Sequence, residues 1–448
     1  IGPLSGNFEA SFVRTAWRLI EDGEPFHRVA TTRRWAVTTA ILSALRFTDQ
    51  LNTRGGEFGR VRFLPGDYED WRFVQLNQVD PSTQGLVDFD DLEALRAIGT
   101  DGGEAIDLIN PRVGYFTTPA FFANSETNED NQFRVTVNQA LIVGLGRDLQ
   151  QTDTTPQPSA AGFDGEHAAE DTCRSCHRLL DPMRLHFQRY YGVFYRQAPE
   201  PSLEPPSFAF LGQTNDGGTL DDFGRAIAEH ARFPTAWVQR LCFYANSQGC
   251  NESDPEFARV VTAFVNSDYD FKTLVIQLLS SPLVTGAALT QTFEDQRFIV
   301  SITRRSQLCQ LLDARLGTTD VCESEAVQPV IGLIPNDTFS RGAIEPIQPA
   351  TSGGFHFAGA EQVCGRLSSV VVGNGSRFEP VNSKAALDEM VEGLMGLSPT
   401  HPRYDDARTR LGAHFDDAIN DAGATEEEAL ASAFTLACLS PDVMGLGL

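Results

Sequence analysis

Residues 171–177 read Asp-Thr-Cys-Arg-Ser-Cys-His, and this stretch decides how the rest of the chain is interpreted. Cys173 and Cys176 are separated by two residues, and His177 directly follows the second thiol. This spacing is typical of a c-type haem segment, in which both thiols bind the porphyrin and the histidine becomes an axial iron ligand. The chain has 8 cysteines and 8 histidines among 448 residues, so chance produces the pattern only about 0.003 times. The sequence therefore predicts one covalent haem c, with His177 as the proximal ligand.

Two other roles for the cysteine pair are open at the level of sequence. A zinc site would need two more ligands, and no second Cys-x-x-Cys segment occurs in the chain. A disulfide or a thioredoxin-like redox pair would use both thiols but would leave His177 without a role. Covalent haem is the interpretation that uses all three residues.

The sixth iron ligand would decide the chemistry, because methionine or histidine there gives an electron carrier and an open position permits peroxide or oxygen chemistry. Met183 lies close to the motif; we expect it to pack against the proximal face, with ligation the weaker alternative. Met390 and Met395 fit core positions of a predicted helix. No histidine stands out as the distal ligand; the candidates are His167, His186, His230 and His356.

Asp181 and Pro182 follow the motif closely. Proline has no amide hydrogen, so Pro182 is expected to stop any helix that continues from the motif. Asp181 then has two predicted roles. It accepts a hydrogen bond from the second ring nitrogen of His177, or it caps a new helix that starts at Pro182. Of these two roles, the sequence favours the cap.

The chain is strongly acidic, with a net charge of −25 and a pI near 4.6. Such a surface repels nucleic acid and anionic lipid, so neither is expected as a primary partner. It would attract a basic redox partner, although the charge is also explained by solubility alone. No run of about 18 apolar residues occurs, so no membrane span is expected.

Six cysteines lie outside the motif, and an even number fits an oxidising compartment with disulfides. Buried free thiols are the alternative. Covalent haem is attached outside the cytoplasm, so we expect a periplasmic, extracellular or cell-surface protein with an export signal ahead of Ile1. Pairing nearest neighbours predicts three disulfides, which are Cys242–Cys250, Cys309–Cys322 and Cys364–Cys438.

Apolar spacing predicts a mainly α fold. Residues 60–64 and 71–76 instead alternate with period two around a Pro-Gly-Asp turn, which predicts a small β-hairpin. Residues 294–316, 384–396 and 425–438 are predicted to be helical. The expected architecture is therefore a multi-helix, loop-rich haem-binding protein with one small hairpin and a helical C-terminal domain.

Three regions are predicted along the chain. Residues 1–112 form an N-terminal helical region that contains the hairpin. Residues 113–290 form the haem-binding domain, and residues 291–448 form the C-terminal helical domain.

Four segments between residues 5 and 285 resemble, in order, the planctomycete-type cytochrome c proteins of unknown function, especially their myxobacterial-like members. The segments are Glu24–Thr32, Gly114–Ala120, Cys173–Met183 and Tyr269–Pro282. Where members of this family read Gly-Phe-Ala-Leu after Asp-Pro, this chain has Met-Arg-Leu-His at 183–186. The resemblance implies an exported haem c protein and does not supply a reaction.

These observations predict an exported single-haem cytochrome that transfers electrons with a partner, within a larger periplasmic or cell-surface assembly. Two alternatives are a haem peroxidase or oxygenase with an open distal site, and a scaffold subunit whose fold the haem stabilises. No nucleophile elbow, zinc-protease motif, P-loop or dinucleotide fingerprint occurs in the sequence.

Overall fold

The computed structural model describes most of the chain, and the chain divides into two compact units. One unit is built from residues up to 238 and from 260–275, and the other from 239–259 and most of the chain after 275. The three predicted regions stay a prediction. The described residues are 2–54, 58–80, 86–99, 105–125, 127–128, 131–149, 153–163, 165, 168, 171–192, 195–196, 205–246, 248–295, 301–334 and 354–446.

Helices dominate the described residues, which confirms the predicted mainly α fold. The helices before residue 250 are α1 (Gly2–Glu21), α2 (Thr39–Arg54), α3 (Leu92–Ala97), α4 (Pro119–Asn124), α5 (Arg134–Leu145), α6 (Asp171–Arg184), α7 (Leu220–Ala228) and α8 (Arg232–Asn246). Those after it are α9 (Pro255–Asn266), α10 (Phe271–Leu279), α11 (Pro282–Thr285), α12 (Gln291–Asp295), α13 (Arg305–Leu316), α14 (Gln328–Ile331), α15 (Gly354–Val371), α16 (Ser383–Glu389), α17 (Tyr404–Asn420), α18 (Glu426–Cys438) and α19 (Pro441–Met444).

The strands are short and form small sheets. They are β1 (Arg34–Val37), β2 (Arg72–Gln78), β3 (Ala105–Leu108), β4 (Tyr191–Gly192), β5 (Tyr195–Arg196), β6 (Ser207–Phe210), β7 (Gln213–Asp216), β8 (Ser301–Ile302) and β9 (Gly445–Leu446). β2 is the central strand of one sheet, antiparallel to β1 and parallel to β3. The pairs β4–β5, β6–β7 and β8–β9 are each antiparallel.

The predicted strand over 71–76 forms as β2, but the predicted partner over 60–64 is wrong. Residues 61–64 adopt no regular structure, and the side chains of Arg62 and Leu64 are exposed. Trp35 and Val37 on β1 are instead fully buried. The pairing follows burial, because a strand gains stability when one face packs on a core. α2 covers this sheet, and the shared core includes Ile41, Leu45, Val74, Leu76, Ile106 and Leu108.

The unit after residue 275 has its own core, in which helices α13, α15, α16, α17 and α18 bury one apolar face each. The predicted helix over 425–438 forms as α18, and that over 384–396 forms as α16 followed by a π-helical turn, Met390–Leu394. The predicted helix over 294–316 begins only at Arg305. β8 precedes it and pairs with β9, which explains the late start.

All three predicted disulfides are confirmed. Cys242 on α8 bonds to Cys250, and Cys309 on α13 bonds to Cys322. The third joins Cys364 on α15 to Cys438 at the end of α18, across 74 residues of chain. Both of these last cysteines are fully buried. In the described part of the chain, no helix combines the length and apolar character needed to cross a membrane.

The long disulfide should contribute more stability than the short one. Closing a loop in the unfolded chain removes more conformational entropy when the loop is longer. The separations are 74 residues for Cys364–Cys438 and 8 for Cys242–Cys250. Replacing both cysteines of a pair by alanine should lower the free energy of unfolding by about 4 kcal/mol for the long pair and about 3 kcal/mol for the short pair. Urea unfolding of the two double variants measures this order, and a larger loss from the short pair would contradict it.

Candidate functional site

The haem-type motif lies at the start of α6, a helix that passes from the surface into the core. Cys173 near its first turn is exposed, and Cys176 and His177 are partly exposed. Further along, Leu179 and Met183 are fully buried. The buried half therefore anchors the helix, while the half that carries the motif faces outward.

The two thiols and the imidazole share one side of α6. Residues three and four apart on a helix are neighbours, so Cys176 and His177 both lie beside Cys173. The Cys176 thiol makes one weak contact, 3.8 Å from its sulfur to the carbonyl oxygen of Leu149. Cys173 and Cys176 are both free, whereas the other six cysteines of the chain form disulfides. This side of the helix presents two thiols and one imidazole together.

Pro182 does not stop the helix, so that prediction is wrong. α6 continues through Pro182 to Arg184, and a 3₁₀ turn, Leu185–Phe187, follows. The proline removes only the hydrogen bond that its amide would have made to the carbonyl of Arg178. Burial of Pro182 and Met183 favours the helical path, and only two α-helical residues follow the proline before the backbone tightens.

Asp181 is not a helix cap, because it lies inside α6, one turn after His177. Its carboxylate is fully buried, and its Oδ1 lies 3.4 Å from Nδ1 of His177. Nδ1 is buried and has no partner with hydrogen-bond geometry among the described groups. The 3.4 Å approach is thus an ion-pair-range contact and longer than a good hydrogen bond. Asp181 therefore faces Nδ1 of His177, without the hydrogen-bond geometry that its predicted role beside His177 requires.

A buried arginine, Arg134, completes this arrangement. Its Nε donates a hydrogen bond to Oδ1 of Asp181, and the exposed fractions of the two side chains are 8% and 0%. Arg184 approaches the same oxygen, with its Nε at 3.9 Å. A buried carboxylate without such cations would cost several kcal/mol. The two arginines therefore place positive charge beside the buried carboxyl group of Asp181.

Sequence reasoning missed Arg134, and no sequence signal identifies it. It lies 47 residues before Asp181 and is one of 35 basic residues. A strained turn places it: Gln132 and Phe133 have backbone φ of 44° and 69°, the left-handed region that side chains disfavour. Phe133 is buried and its amide donates to Oγ1 of Thr127, which offsets the strain. α5 starts from this turn with Arg134 as its first residue.

The loop before the motif is tied to α6 and to the β6–β7 turn. Arg178 donates hydrogen bonds to the carbonyl oxygens of Asp153 and Thr155. The Asp153 carboxylate accepts from the amide of Leu211 at 2.9 Å, and Oγ1 of Thr155 accepts from the amide of Gly212 at 2.8 Å. Burial alone would raise the pKa of Asp153, but the hydrogen bonds that its carboxylate accepts from the amide of Leu211 and from the amide and hydroxyl of Thr155 hold the pKa below its usual value. The loop is thus fixed along one side of α6.

A cluster of aromatic rings packs beneath the end of α6, and we call it the phenylalanine cluster. Phe187 lies at its centre, with ring centroids of its neighbours 6.1–6.3 Å away. The members are Phe116, Phe122, Phe133, Phe187, Tyr190, Phe208, Phe210 and Phe223. Because Phe133 belongs to it, the cluster also supports the turn that places Arg134.

The other axial-ligand candidates occupy core positions wherever the structure describes them. His186 is buried 5.3 Å from the ring of Phe223, with its Nδ1 3.0 Å from the carbonyl oxygen of Met183. Nε2 of His230 faces the carbonyl oxygen of Leu211 at 3.2 Å. The remaining described candidates, His356, Met183, Met390 and Met395, are buried, and His167 lies outside the described residues.

The chemistry of this site follows from its donor set. Among the described residues, no group of three or more histidine, cysteine, aspartate or glutamate side chains is arranged to hold a metal ion. No protein-family model, curated protein or solved structure matches the chain. The functional assignment therefore depends on two free thiols, one accessible imidazole and the charged groups behind it. This set fits a covalently held haem, since haem iron needs only axial ligands from the protein.

Burial of His186 predicts an acid-sensitive fold. Burial lowers the pKa of His186 from 6.5 to about 4. Below pH 6.5 the imidazole of His186 is protonated in the unfolded chain, whereas in the folded chain it binds a proton only near pH 4. The free energy of unfolding should therefore fall by about 3 kcal/mol as the pH falls through this window.

The leucine variant His186→Leu isolates this contribution, because it removes the titrating group and keeps an apolar side chain in the phenylalanine cluster. Urea unfolding at pH 7.5 and pH 4.5 should show a smaller loss for the variant than for the wild type, by about 3 kcal/mol. Equal losses in the two proteins would contradict the assignment.

Proposed function

We propose that this chain carries one covalent haem c, bound through Cys173 and Cys176 with His177 as the proximal iron ligand. One observation carries the proposal: six of the eight cysteines form disulfides, and the two that remain free are those of the Cys-x-x-Cys-His segment. In a chain that pairs its other thiols, two neighbouring free thiols indicate a different use. The histidine that follows them is accessible, as an axial ligand must be.

The free thiols suit the attachment chemistry. Each thiol adds across a vinyl group: a sulfur–carbon bond forms, the double bond becomes single, and the thiol proton moves to the other vinyl carbon. This addition consumes no oxidant or reductant, but both sulfurs must be reduced. Cys173 is exposed on α6 and so is accessible for this addition, while Leu179 and Met183 hold the helix in the core.

The proposed activity is electron transfer. A bound haem supplies an iron that exchanges single electrons between its ferrous and ferric states. The protein's part is to fix the imidazole through the anchored half of α6 and to keep the attachment side near the surface, where a partner can approach. Because one haem cannot carry electrons far, we propose a partner redox protein within a larger assembly, and a basic partner surface would complement the net charge of −25.

The proposed location is periplasmic or at the cell surface. Three disulfides support an oxidising compartment, since such bonds are rare in the cytosol. The four segments quoted above support membership of the planctomycete-type cytochrome c family. Thioether attachment outside the cytoplasm would agree with both.

The attachment prediction is tested by expressing the chain in a bacterial periplasm together with a haem attachment system. The wild-type protein should be red and should keep haem through denaturing electrophoresis, because thioether bonds survive unfolding. The double variant Cys173→Ala, Cys176→Ala should lose this haem completely.

A matched control comes from the two residues between the cysteines. The variant Arg174→Ala, Ser175→Ala changes the same turn of α6 and keeps all three motif residues, so it should retain haem. A colourless wild-type protein, or one that loses its haem on denaturation, would contradict the proposal.

An electron carrier holds a second axial protein ligand, so the proposed activity predicts resistance to external ligands. The oxidised protein should not bind cyanide, and the reduced protein should not bind carbon monoxide, although every described candidate for the sixth position is buried in the core. Visible spectra recorded after mixing measure this. Rapid binding of either ligand would contradict the carrier function and would favour the peroxidase or oxygenase alternative.

A further inference from the structure

Arg134, Asp181 and His177 form a row of charged and polar groups behind the proposed iron ligand. The Nε of Arg134 donates to Oδ1 of Asp181, and this oxygen lies 3.4 Å from Nδ1 of His177. Both charged side chains are buried, with exposed fractions of 8% and 0%. Arg134 is the first residue of α5, and Asp181 and His177 lie on α6. Two separate helices therefore build the row.

The geometry leaves Nε2 of His177 as the nitrogen available to a ligand. Nδ1 is buried and faces the carboxylate, while the imidazole keeps 23% of its side-chain surface exposed. A carboxylate behind the outer nitrogen fixes the tautomer of a metal-binding histidine and raises its basicity. At 3.4 Å, a small movement of the ring on haem binding would bring this contact to hydrogen-bond length.

We propose that Asp181 and Arg134 are positioning residues that set the reduction potential of the iron through His177. This inference rests on the proposed function. Asp181 makes the imidazole a stronger electron donor and places a negative charge behind it, and both effects favour ferric iron. Arg134 opposes this effect, because it shares the same carboxylate oxygen and neutralises part of its charge. The two residues therefore act in opposite directions.

The experiment compares midpoint potentials of haem-loaded variants by spectroscopic titration. Asp181→Asn keeps the side-chain shape and removes the charge, so the ratio of reduced to oxidised protein at a fixed solution potential should rise about tenfold. A tenfold change in this ratio is a 59 mV shift for one electron. Arg134→Met should change the ratio in the opposite direction, because Asp181 then loses this cation and keeps the more distant one, Arg184, at 3.9 Å.

Two further variants keep the test valid if Arg134→Met does not fold. Arg134→Lys keeps a cation beside Asp181, so its potential should stay near that of the wild type. The double variant Arg134→Met, Asp181→Asn removes both charges without leaving either unpaired. Its potential should lie between those of Asp181→Asn and Arg134→Met, because neither charge then acts on the iron.

A second buried ion pair provides a matched control. Arg112 binds Asp49 at 3.0 Å, with exposed fractions of 4% and 0%, and this pair does not involve α6. Asp49→Asn should destabilise the protein, as breaking a buried pair does, but it should leave the potential unchanged. A direct readout of the imidazole is the ¹⁵N chemical shift of His177 Nδ1, which should change in Asp181→Asn and stay constant in Asp49→Asn.

The outcomes separate this inference from the proposed function. Wild-type protein without covalent haem would overturn the function itself. Haem that is attached and ligated by His177, with potentials and His177 Nδ1 chemical shifts equal in wild type, Asp181→Asn and Arg134→Met, would overturn the positioning role alone. Shifts of equal size in Asp49→Asn and Asp181→Asn would also overturn it, because they would reflect general destabilisation.

Discussion

Burial of the second half of α6 is the constraint on which the candidate site depends. Leu179 and Met183 are fully enclosed, and the 3₁₀ turn that follows inserts Phe187 into the phenylalanine cluster. Each large apolar side chain removed from water contributes about 1.5–3 kcal/mol. This anchoring holds the helix through Pro182, whose ring would otherwise break it. The outward half of α6 carries both free thiols. Its orientation is therefore fixed by the buried half of the same helix.

The pair formed by Arg134 and Asp181 adds specificity to this anchoring. A buried ion pair is weak evidence for stability, because desolvation of two charges offsets their attraction. The role of this pair is to fix position. Asp181 on α6 faces the imidazole of His177, and Arg134 on α5 binds the Asp181 carboxylate. The left-handed backbone at Gln132 and Phe133 supports this view, since strained backbone persists where the surroundings require it.

Local patterns in the sequence predict the helices, whereas most contacts between distant segments are not visible in them. The helix over 425–438 follows from the spacing of neighbouring residues. The disulfides follow from pairing consecutive cysteines in chain order, which reaches across 74 residues for Cys364–Cys438. The strand that pairs with β2 is decided by burial, since Trp35 is buried and Leu64 is exposed. The alternation of apolar and polar residues does not show which of the two segments is buried. The missing amide hydrogen of Pro182 predicts that the helix stops there. Packing of Pro182 and Met183 in the core instead keeps the backbone helical to Arg184. Arg134 meets Asp181 only because the fold brings α5 against α6, and no spacing rule predicts that contact.

The proposed function depends on the chemical state of Cys173 and Cys176. The most direct measurement is the intact mass of the purified, denatured protein, after an alkylating reagent has marked every free thiol. The expected result is a mass increased by one haem, with three disulfides and no alkylated cysteine. An unmodified polypeptide mass, with two alkylated thiols or a fourth disulfide, would contradict it.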